Sequence, residues 1–400
     1  MGIFAKRLAG ISPSPIAMLS QRARDLNSEG KEIIDLGVGE PDFDTPEFIK
    51  TATVEAMARG ETKYTATNGS LALRKAISDK FLNENGLFYE TEQIAVGVGA
   101  KQIIFNAFMA TLDEGDEVVL PAPYWASYPD MVRIVGGVPV VVPCPESQGF
   151  LLTPDALEAA ITPLTKWVVL NSPNNPSGAA YRDADLVALG DVLLRHPHVW
   201  ILSDDIYEHL LYDGSKFKTI AQLIPDLYDR TVTMNGVSKP YAMTGWRLGY
   251  AGASVEMIRA MTNVLTQSTT HSSSLSQAGA LAALTGPQDF IVERLKTFQE
   301  RRDLVVSLIN ATTGLSARVP EGAFYVFPSC QGLIGRRRSG GKTIASDIDV
   351  STFLLEDAGV STVPGTLFGM KGFVRLSTAA ATDVLRVACS RIHTACAGLT

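Results

Sequence analysis

Short apolar segments alternate with longer amphipathic segments between about residue 46 and residue 285. The apolar segments are rich in β-branched side chains, which predicts buried strands at 94–98, 117–120, 138–142, 167–170, 199–203, 231–234 and 248–252. Helical spacing of apolar residues predicts helices at 71–82, 101–112, 154–161, 185–194 and 256–265. Because continuously apolar strands alternate with helices, we expect an α/β fold, with a mainly parallel seven-stranded sheet flanked by helices.

The pattern changes near residue 288. The segment 289–309 predicts one long helix, and shorter strands are predicted at 323–327, 360–363 and 374–377, with a helix at 350–357. This pattern is typical of a smaller α+β domain formed by both chain ends. The expected organisation is therefore an N-terminal arm and part of the small domain (1–45), a large α/β domain (46–288), and a linking helix with the C-terminal small domain (289–400).

Charge and composition exclude some classes of partner. The chain has 35 Lys and Arg against 42 Asp and Glu, a net charge of −7, so no broad basic field favours nucleic acid. The one basic run, Arg336-Arg337-Arg338, is followed by Ser339-Gly340-Gly341 and predicts a solvated loop. No apolar run approaches the ~20 residues that span a bilayer, so no membrane partner is expected.

The cysteines give a further indication of location. Cys144, Cys330, Cys389 and Cys396 are widely spaced and form no CxxC pair, so no metal site is predicted from them. They are typical of reduced thiols in a cytoplasmic protein.

A lysine follows one of the predicted strands. Lys239 lies in an irregular turn after 231–234, Pro240 keeps it out of the α region, and Arg247 begins the next strand. Parallel sheets place ligands at the carboxyl ends of their strands. A lysine amine becomes a nucleophile when burial or a cationic neighbour lowers its pKa. On its own, however, a lysine in a turn is usually a surface residue.

Three other strand ends carry polar groups. Asp204, Asp205 and Tyr207 follow 199–203, and Asn175 lies in a proline-rich loop after 167–170. Taken singly, Asp204 or Asp205 would be interpreted as a helix cap, and the loop of Asn175 as a plain turn. At Gly99-Ala100 a strand passes into a helix whose N–H groups could hold a phosphate. The third glycine of a dinucleotide-binding motif is absent, which disfavours a nicotinamide dehydrogenase.

Together these groups favour pyridoxal 5'-phosphate as cofactor. This cofactor needs a lysine for its aldehyde, an acid for its ring nitrogen, hydrogen bonds to its phenolic oxygen and an anion site for its phosphate. These requirements are met, in that order, by Lys239, Asp204, Asn175 with Tyr207, and the Gly99 turn with Arg247.

At this point the chain resembles the class I (fold-type I) pyridoxal-phosphate-dependent aminotransferases, in particular the bacterial aspartate aminotransferase branch. The resemblance covers nearly the whole chain. The matching motifs are Gly39-Glu40-Pro41-Asp42-Phe43, Lys63-Tyr64, Pro123-Tyr124-Trp125, Asn175-Pro176, Ser203-Asp204 to Tyr207, Lys239 with Met243-Thr244-Gly245-Trp246-Arg247, Gly322-Ala323-Phe324-Tyr325, and Val374-Arg375-Leu376-Ser377.

The resemblance implies cofactor-binding roles. Lys239 would form the Schiff base and then move the substrate α-proton, Asp204 would pair with the ring nitrogen, and Tyr207 with Asn175 would bond the phenolic oxygen. The remaining cofactor-binding residues implied are Trp125 on the ring, and Gly99, Ala100, Lys101 and Arg247 at the phosphate. Tyr64 would reach the phosphate of a neighbouring subunit, which implies a homodimer with shared active sites.

The resemblance also implies the substrate contacts. Arg375 would bind the α-carboxylate through a bidentate fork, beside Trp125 and Asn175, and Gly39 would leave room for that carboxylate. Lys101 matches a position that recognises a side-chain carboxylate, although a solvated lysine in a first helical turn is an equal alternative.

Other positions depart from the family pattern. Gly236 stands where many relatives carry a hydroxyl that helps the phosphate. Relatives that accept prephenate tend to carry a basic residue at the position of Ser12 and a threonine at the position of Ile16, and this chain has neither. His271 is a weak candidate for entering the partner's cleft.

The function implied is transfer of the α-amino group of aspartate or glutamate to a 2-oxo acid such as 2-oxoglutarate, by a ping-pong mechanism. An aromatic amino acid or prephenate aminotransferase is the alternative, and a carbon–sulfur β-lyase a more distant one. A regulator with an aminotransferase-like domain is disfavoured, because the roughly 45 residues before the first helix of the large domain contain no basic recognition helix.

Overall fold

The computed structural model describes residues 3–8, 10–11 and 15–400, with the backbone alone at 15–17 and 20. Within these residues the strands are β1 (Ile34–Asp35), β2 (Ile94–Gly97), β3 (Glu117–Ala122), β4 (Val138–Pro143), β5 (Thr165–Asn171), β6 (Trp200–Asp204), β7 (Thr231–Gly236), β8 (Gly249–Gly252), β9 (Tyr325–Val326), β10 (Val360–Ser361), β11 (Val363–Pro364) and β12 (Val374–Ser377).

The described α-helices alternate with these strands over much of the chain. They are α1 (Pro15–Ser28), α2 (Glu47–Ala58), α3 (Leu71–Asn85), α4 (Ala100–Thr111), α5 (Tyr128–Ile134), α6 (Pro154–Ala160), α7 (Asp183–Arg195), α8 (Ile220–Leu223), α9 (Val255–Ser268), α10 (Ser274–Thr285), α11 (Asp289–Asn310), α12 (Asp347–Asp357) and α13 (Thr382–Ala397).

The largest sheet in the described part of the chain has seven strands, in the order β2-β8-β7-β6-β5-β3-β4. Its strands run parallel except β8, which is antiparallel to both β2 and β7. Side chains of β3 and β5 alternate between two apolar clusters, with Val118 and Val169 in one and Val119 and Val168 in the other. Both faces are therefore buried, which confirms the predicted α/β fold.

The reversed direction of β8 brings its first residue to the edge of the sheet where the neighbouring strands end. Gly249, the first residue of β8, lies opposite Gly97 at the end of β2 and opposite Gly236 at the end of β7. In the next strands Asn171 pairs with Asp204 at the ends of β5 and β6. The carboxyl ends of β2, β5, β6 and β7 and the start of β8 thus lie at the same edge of the sheet. Ligands of open parallel sheets bind at this edge.

Both ends of the chain contribute to a second apolar core. β1 pairs in parallel with β10, and β11, β12 and β9 form a small antiparallel sheet. One cluster contains Leu36 together with residues from Val305 to Leu399. The sequence pattern predicts only an arm at 1–45 and not helix α1, which begins at Pro15. The domain boundaries at residues 45 and 288 stay predictions.

The prediction of a solvated loop at the basic run is wrong for Arg338. Its guanidinium donates hydrogen bonds to Glu356 (2.9 Å) and Asp357, and lies 5.7 Å from the ring centroid of Phe353. The side chain is 15% exposed, so it serves the fold at the end of α12.

Among the described residues, no helix combines the length and the apolar character that crossing a bilayer requires.

Candidate active site

A cavity of about 250 Å³ opens at the edge of the sheet where these strand ends meet. It brings together most of the predicted site residues: Gly39, Ala100, Lys101, Trp125, Asn175, Asp204, Tyr207, Lys239, Arg247 and Arg375. The others that line it are Ile104, Asn171, Ile206, Ser238, Thr244 and Tyr325.

Asp204 supplies a buried carboxylate at the end of β6. The residue is 4% exposed, and the Tyr128 hydroxyl donates a hydrogen bond to its Oδ2. Asn171 Nδ2 donates to the Asp204 backbone carbonyl (3.0 Å), which fixes the end of the strand. Burial raises the pKa of Asp204 to about 6, opposed by the Tyr128 hydrogen bond and the charge of Lys239. A cationic group in the cavity would therefore stabilise this carboxylate.

Lys239 projects into the same cavity from the turn after β7. Its Nζ donates a hydrogen bond to the backbone carbonyl of Gly39 (2.7 Å) and lies 5.7 Å from the ring centroid of Phe324. Burial, and next the charge of Arg375, lower the pKa of Lys239 to about 8. Its neutral, nucleophilic form is thus more populated near neutral pH than that of a solvated lysine.

Arg375 of β12 is only 2% exposed, and two hydrogen-bond acceptors hold its guanidinium. It donates hydrogen bonds to Asn175 Oδ1 (2.8 Å) and to the Gly37 carbonyl, and its guanidinium carbon lies 4.5 Å from the ring centroid of Tyr325. Its Nε is buried without a hydrogen-bond partner among the described residues. Since burial lowers the pKa of Arg375, a bound carboxylate would compensate the charge.

Two tyrosines form the neighbouring wall. The hydroxyls of Tyr207 and Tyr325 lie 2.8 Å apart, and burial raises the pKa of both. A Cβ at Gly39 would collide with the Tyr325 hydroxyl. The structure thus gives a reason for this glycine besides the room predicted for a substrate carboxylate.

The backbone approaches its neighbours closely at the position where an anion site is predicted. Gly99 has φ 78°, and a Cβ there would lie 2.6 Å from Arg247 Nη2, while a Cβ at Gly249 would overlap the Ala100 backbone nitrogen. Gly236 is restricted too, because a Cβ would lie 3.1 Å from Ile206 and 3.2 Å from the Leu248 carbonyl. The hydroxyl absent at Gly236 therefore has little room, whereas Ser238 lines the cavity nearby.

Lys101 is an exposed residue whose amine nevertheless turns to the cavity wall. Its Nζ lies 3.1 Å from Ser127 Oγ and 4.8 Å from a ring centroid of Trp125. Partial burial, and next the charge of Arg247, lower the pKa of Lys101. Because Lys101 lines the cavity, a ligand there could reach its side chain.

Comparison with known proteins gives the family. A family model described as aminotransferase class I and II matches residues 31–392. The chain belongs to this family. An aspartate aminotransferase of Rhizobium meliloti is 57% identical over 392 residues, covering 98% of this chain and 96% of the relative. An aspartate/prephenate aminotransferase of Cereibacter sphaeroides is 53% identical over 399 residues, covering 100% of both.

A solved structure agrees with this assignment. The crystal structure of the Rhizobium meliloti aspartate aminotransferase superposes with a TM-score of 0.97 at 56% identity, over 100% of both chains. These findings confirm a transaminase of the bacterial aspartate branch.

In this aminotransferase two predicted residues do not line the cavity of their own chain. Gly99 directly precedes Ala100 and Lys101, which do line the cavity. Tyr64 is 90% exposed and packs edge to face on His271, with ring centroids 5.5 Å apart. His271 Nδ1 lies 2.6 Å from the Ser272 carbonyl oxygen. Ser12, and the side chain of Ile16, lie outside what the structure describes.

Two contacts of the aminotransferase site are not predicted by the sequence. Tyr128 was not singled out, although it follows Trp125 by one helical turn at the start of α5. Tyr325 stood in a recognised motif without an assigned role. Both act through a neighbour, Asp204 or Tyr207, so only the folded arrangement reveals them.

Proposed function

We propose that this aminotransferase uses pyridoxal 5'-phosphate to transfer the α-amino group of aspartate or glutamate to a 2-oxo acid such as 2-oxoglutarate, by a ping-pong mechanism. The observation that carries the proposal is the pair of cations, Arg375 and Lys101, in the cavity that also holds Lys239. Two carboxylates of one substrate would find two separate positive groups there.

The chemistry of the cavity fits the cofactor. Asp204 would pair with the ring nitrogen, Asn175 and Tyr207 would bond the phenolic oxygen, and Trp125 would stack on the ring. The phosphate would lie against Arg247 and the Gly99–Lys101 backbone, where added side chains would collide. When bound, the cofactor supplies an electron-accepting ring that makes the substrate α-proton more acidic.

The remaining steps are assigned to the chain's own groups. Lys239, with its lowered pKa, would take the proton from the substrate α-carbon as a neutral amine. The Gly39 carbonyl would then hold the ammonium hydrogen that results. Arg375 would orient the α-carboxylate by a bidentate contact, since a guanidinium matches the two carboxylate oxygens.

A homodimer is part of the proposal. Tyr64 would reach the phosphate of the partner, which agrees with its 90% exposure. Exposed apolar side chains at Val54, Met57 and Leu71 are available for a second copy. Four free, buried cysteines support a cytoplasmic location.

A donor panel at fixed 2-oxoglutarate tests the substrate. We expect aspartate and glutamate to be better donors than phenylalanine. Lys101→Met should raise KM for aspartate about tenfold or more, and leave phenylalanine nearly unchanged. Val138→Met, an exposed position on β4, is the control. Good phenylalanine turnover beside negligible aspartate turnover would refute the acidic substrate.

The alternatives separate in the same assay. The Cereibacter sphaeroides relative is named for prephenate as well as aspartate, so prephenate is included as an amino acceptor. A β-lyase would release ammonia without any acceptor. A Lys239→Ala protein that kept full transaminase activity would refute the central assignment.

A further inference from the structure

A buried ion pair lies outside the cavity, between α3 and the segment after Tyr207. Lys80 is 4% exposed and Glu208 7% exposed, and the ammonium of Lys80 donates a hydrogen bond to Glu208 Oε1. Glu208 also accepts hydrogen bonds from Asn85 Nδ2 and Asn235 Nδ2, each at 2.7 Å. Lys80 Nζ donates in addition to Asn85 Oδ1 at 2.8 Å.

This network is connected to two residues of the site. Glu208 directly follows Tyr207, whose hydroxyl forms part of the cavity wall. Asn235 lies in β7, and its Oδ1 accepts a hydrogen bond from the Gly236 backbone N–H (2.7 Å), just before the turn that carries Lys239. One carboxylate therefore joins helix α3, the Tyr207 segment and the end of β7.

Stability alone is a weak reason for such an ion pair. Removing two charges from water costs several kcal/mol per ion, and apolar replacements of similar volume are often neutral or stabilising. A network that fixes the relative position of two reactive groups has a different use, because small misplacements of such groups reduce rates strongly.

We propose that Glu208 is a positioning residue for the transamination site. Through Asn235 and Lys80 it fixes the Tyr207 segment relative to the end of β7, and so sets where the Tyr207 hydroxyl lies relative to the Lys239 amine. This inference rests on the proposed function.

Other charged groups surround the pair. Glu84 lies 3.4 Å from Lys80 Nζ and 2.9 Å from His209 Nε2, and His209 Nδ1 lies 3.7 Å from Glu208 Oε1. Glu84 and His209 are not substituted in the test variants, so their own contact is retained.

The test uses the cofactor-loaded protein with the double variant Lys80→Met/Glu208→Leu, which leaves no unpaired charge of the pair. Lys75→Met/Asp79→Leu is the matched control, because Lys75 and Asp79 form an exposed ion pair on the same helix. The measurements are the pH midpoint of the visible absorption band, the cofactor dissociation constant, kcat and the urea midpoint. Tyr207→Phe gives the reference spectral shift.

We expect the double variant to fold and bind cofactor, with its spectral midpoint displaced in the same direction as that of Tyr207→Phe. Its kcat should fall about tenfold to a hundredfold. The control should match wild type. A double variant with wild-type midpoint and kcat would overturn the inference.

Asn235→Ala provides a second route if the double variant does not fold, because it removes the hydrogen bond between Glu208 and β7, together with the acceptor for the Gly236 N–H, and leaves the Lys80–Glu208 pair intact. A displaced spectral midpoint in Asn235→Ala supports the inference, and an unchanged one overturns it. The wild-type protein is measured alongside the variants. If it neither binds pyridoxal 5'-phosphate nor transaminates, the proposed function fails, and this outcome is distinct from a failure of the inference about Glu208.

Discussion

At the residue scale, Asp204 and Lys239 occupy one cavity with pKa values shifted towards each other. Burial raises the first to about 6 and lowers the second to about 8. In both cases burial disfavours the charged form, and the surrounding groups adjust the result. Substituting the residues that contact Asp204 or Lys239 should therefore shift the pKa values of these two groups without altering the fold.

Tyr128→Phe should shift the acid limb of the pH–kcat/KM profile to higher pH. The Tyr128 hydroxyl stabilises charged Asp204 and lowers its pKa, so its loss raises that pKa and protonates the carboxyl at a higher pH. Below the raised pKa the protonated Asp204 carboxyl would no longer pair as a charged group with the ring nitrogen of the cofactor. We therefore expect kcat to fall about tenfold near neutral pH. Tyr181→Phe, a half-buried tyrosine outside the cavity, is the control. An acid limb that does not move in Tyr128→Phe would contradict this prediction.

Capture of pyridoxal 5'-phosphate by the cofactor-free protein should accelerate as pH rises through about 8. The neutral amine of Lys239 is the nucleophile, and its lowered pKa places the rise near that value. Stopped-flow absorbance measures the rate. Arg375→Gln removes a neighbouring positive charge, so the midpoint should move up, and a downward shift would count against the stated cause.

At the scale of elements, strand ends explain which site residues could be predicted. Lys239, Asp204 and Asn175 each follow an apolar strand, and the register of a mainly parallel sheet brings such ends together. Tyr128 could not be found this way, because it is a helical residue whose partner is distant in sequence. Helix α1 was missed because Pro15 is its first residue, where the absent N–H costs nothing.

An ion pair joins the segment that leads from Gly39 into α2 to helix α11. Arg301 is 5% exposed and donates to both carboxylate oxygens of Asp42, at 2.7 and 2.9 Å. Asp42→Asn leaves this guanidinium buried without a countercharge, and should lower the free energy of unfolding by about 3 kcal/mol. Urea titration measures it.

The control for that substitution is Glu61→Gln, which breaks the exposed pair with Arg59. It should change stability by less than about 0.5 kcal/mol. If both variants lose the same free energy of unfolding, the burial of Arg301 does not increase the cost of breaking its ion pair.

At the scale of the whole molecule, the proposed dimer makes each site depend on two subunits. Mixing Lys239→Ala subunits with Tyr64→Ala subunits, by unfolding and refolding them together, should restore activity. In a hybrid dimer the Tyr64→Ala subunit keeps Lys239 and receives Tyr64 from its partner, so one site is complete. Steady-state transamination measures the gain.

Two observations would contradict the shared site. Refolded mixtures no more active than the separate variants would show that Tyr64 does not act across the interface. A Tyr64→Ala protein with wild-type kcat and cofactor affinity would show the same. Glu61→Gln subunits mixed with Lys239→Ala subunits control for losses in refolding.

The pairing of β1 with β10 has a consequence for synthesis on the ribosome. Nascent chains fold domain by domain, and the residues proposed to hold the cofactor, Gly99 to Arg247, emerge well before Arg375. Ile34 and Asp35 are made early, yet their partners Val360 and Ser361 emerge late. A chain stalled in its last part would have the groups for the cofactor without the arginine for the substrate.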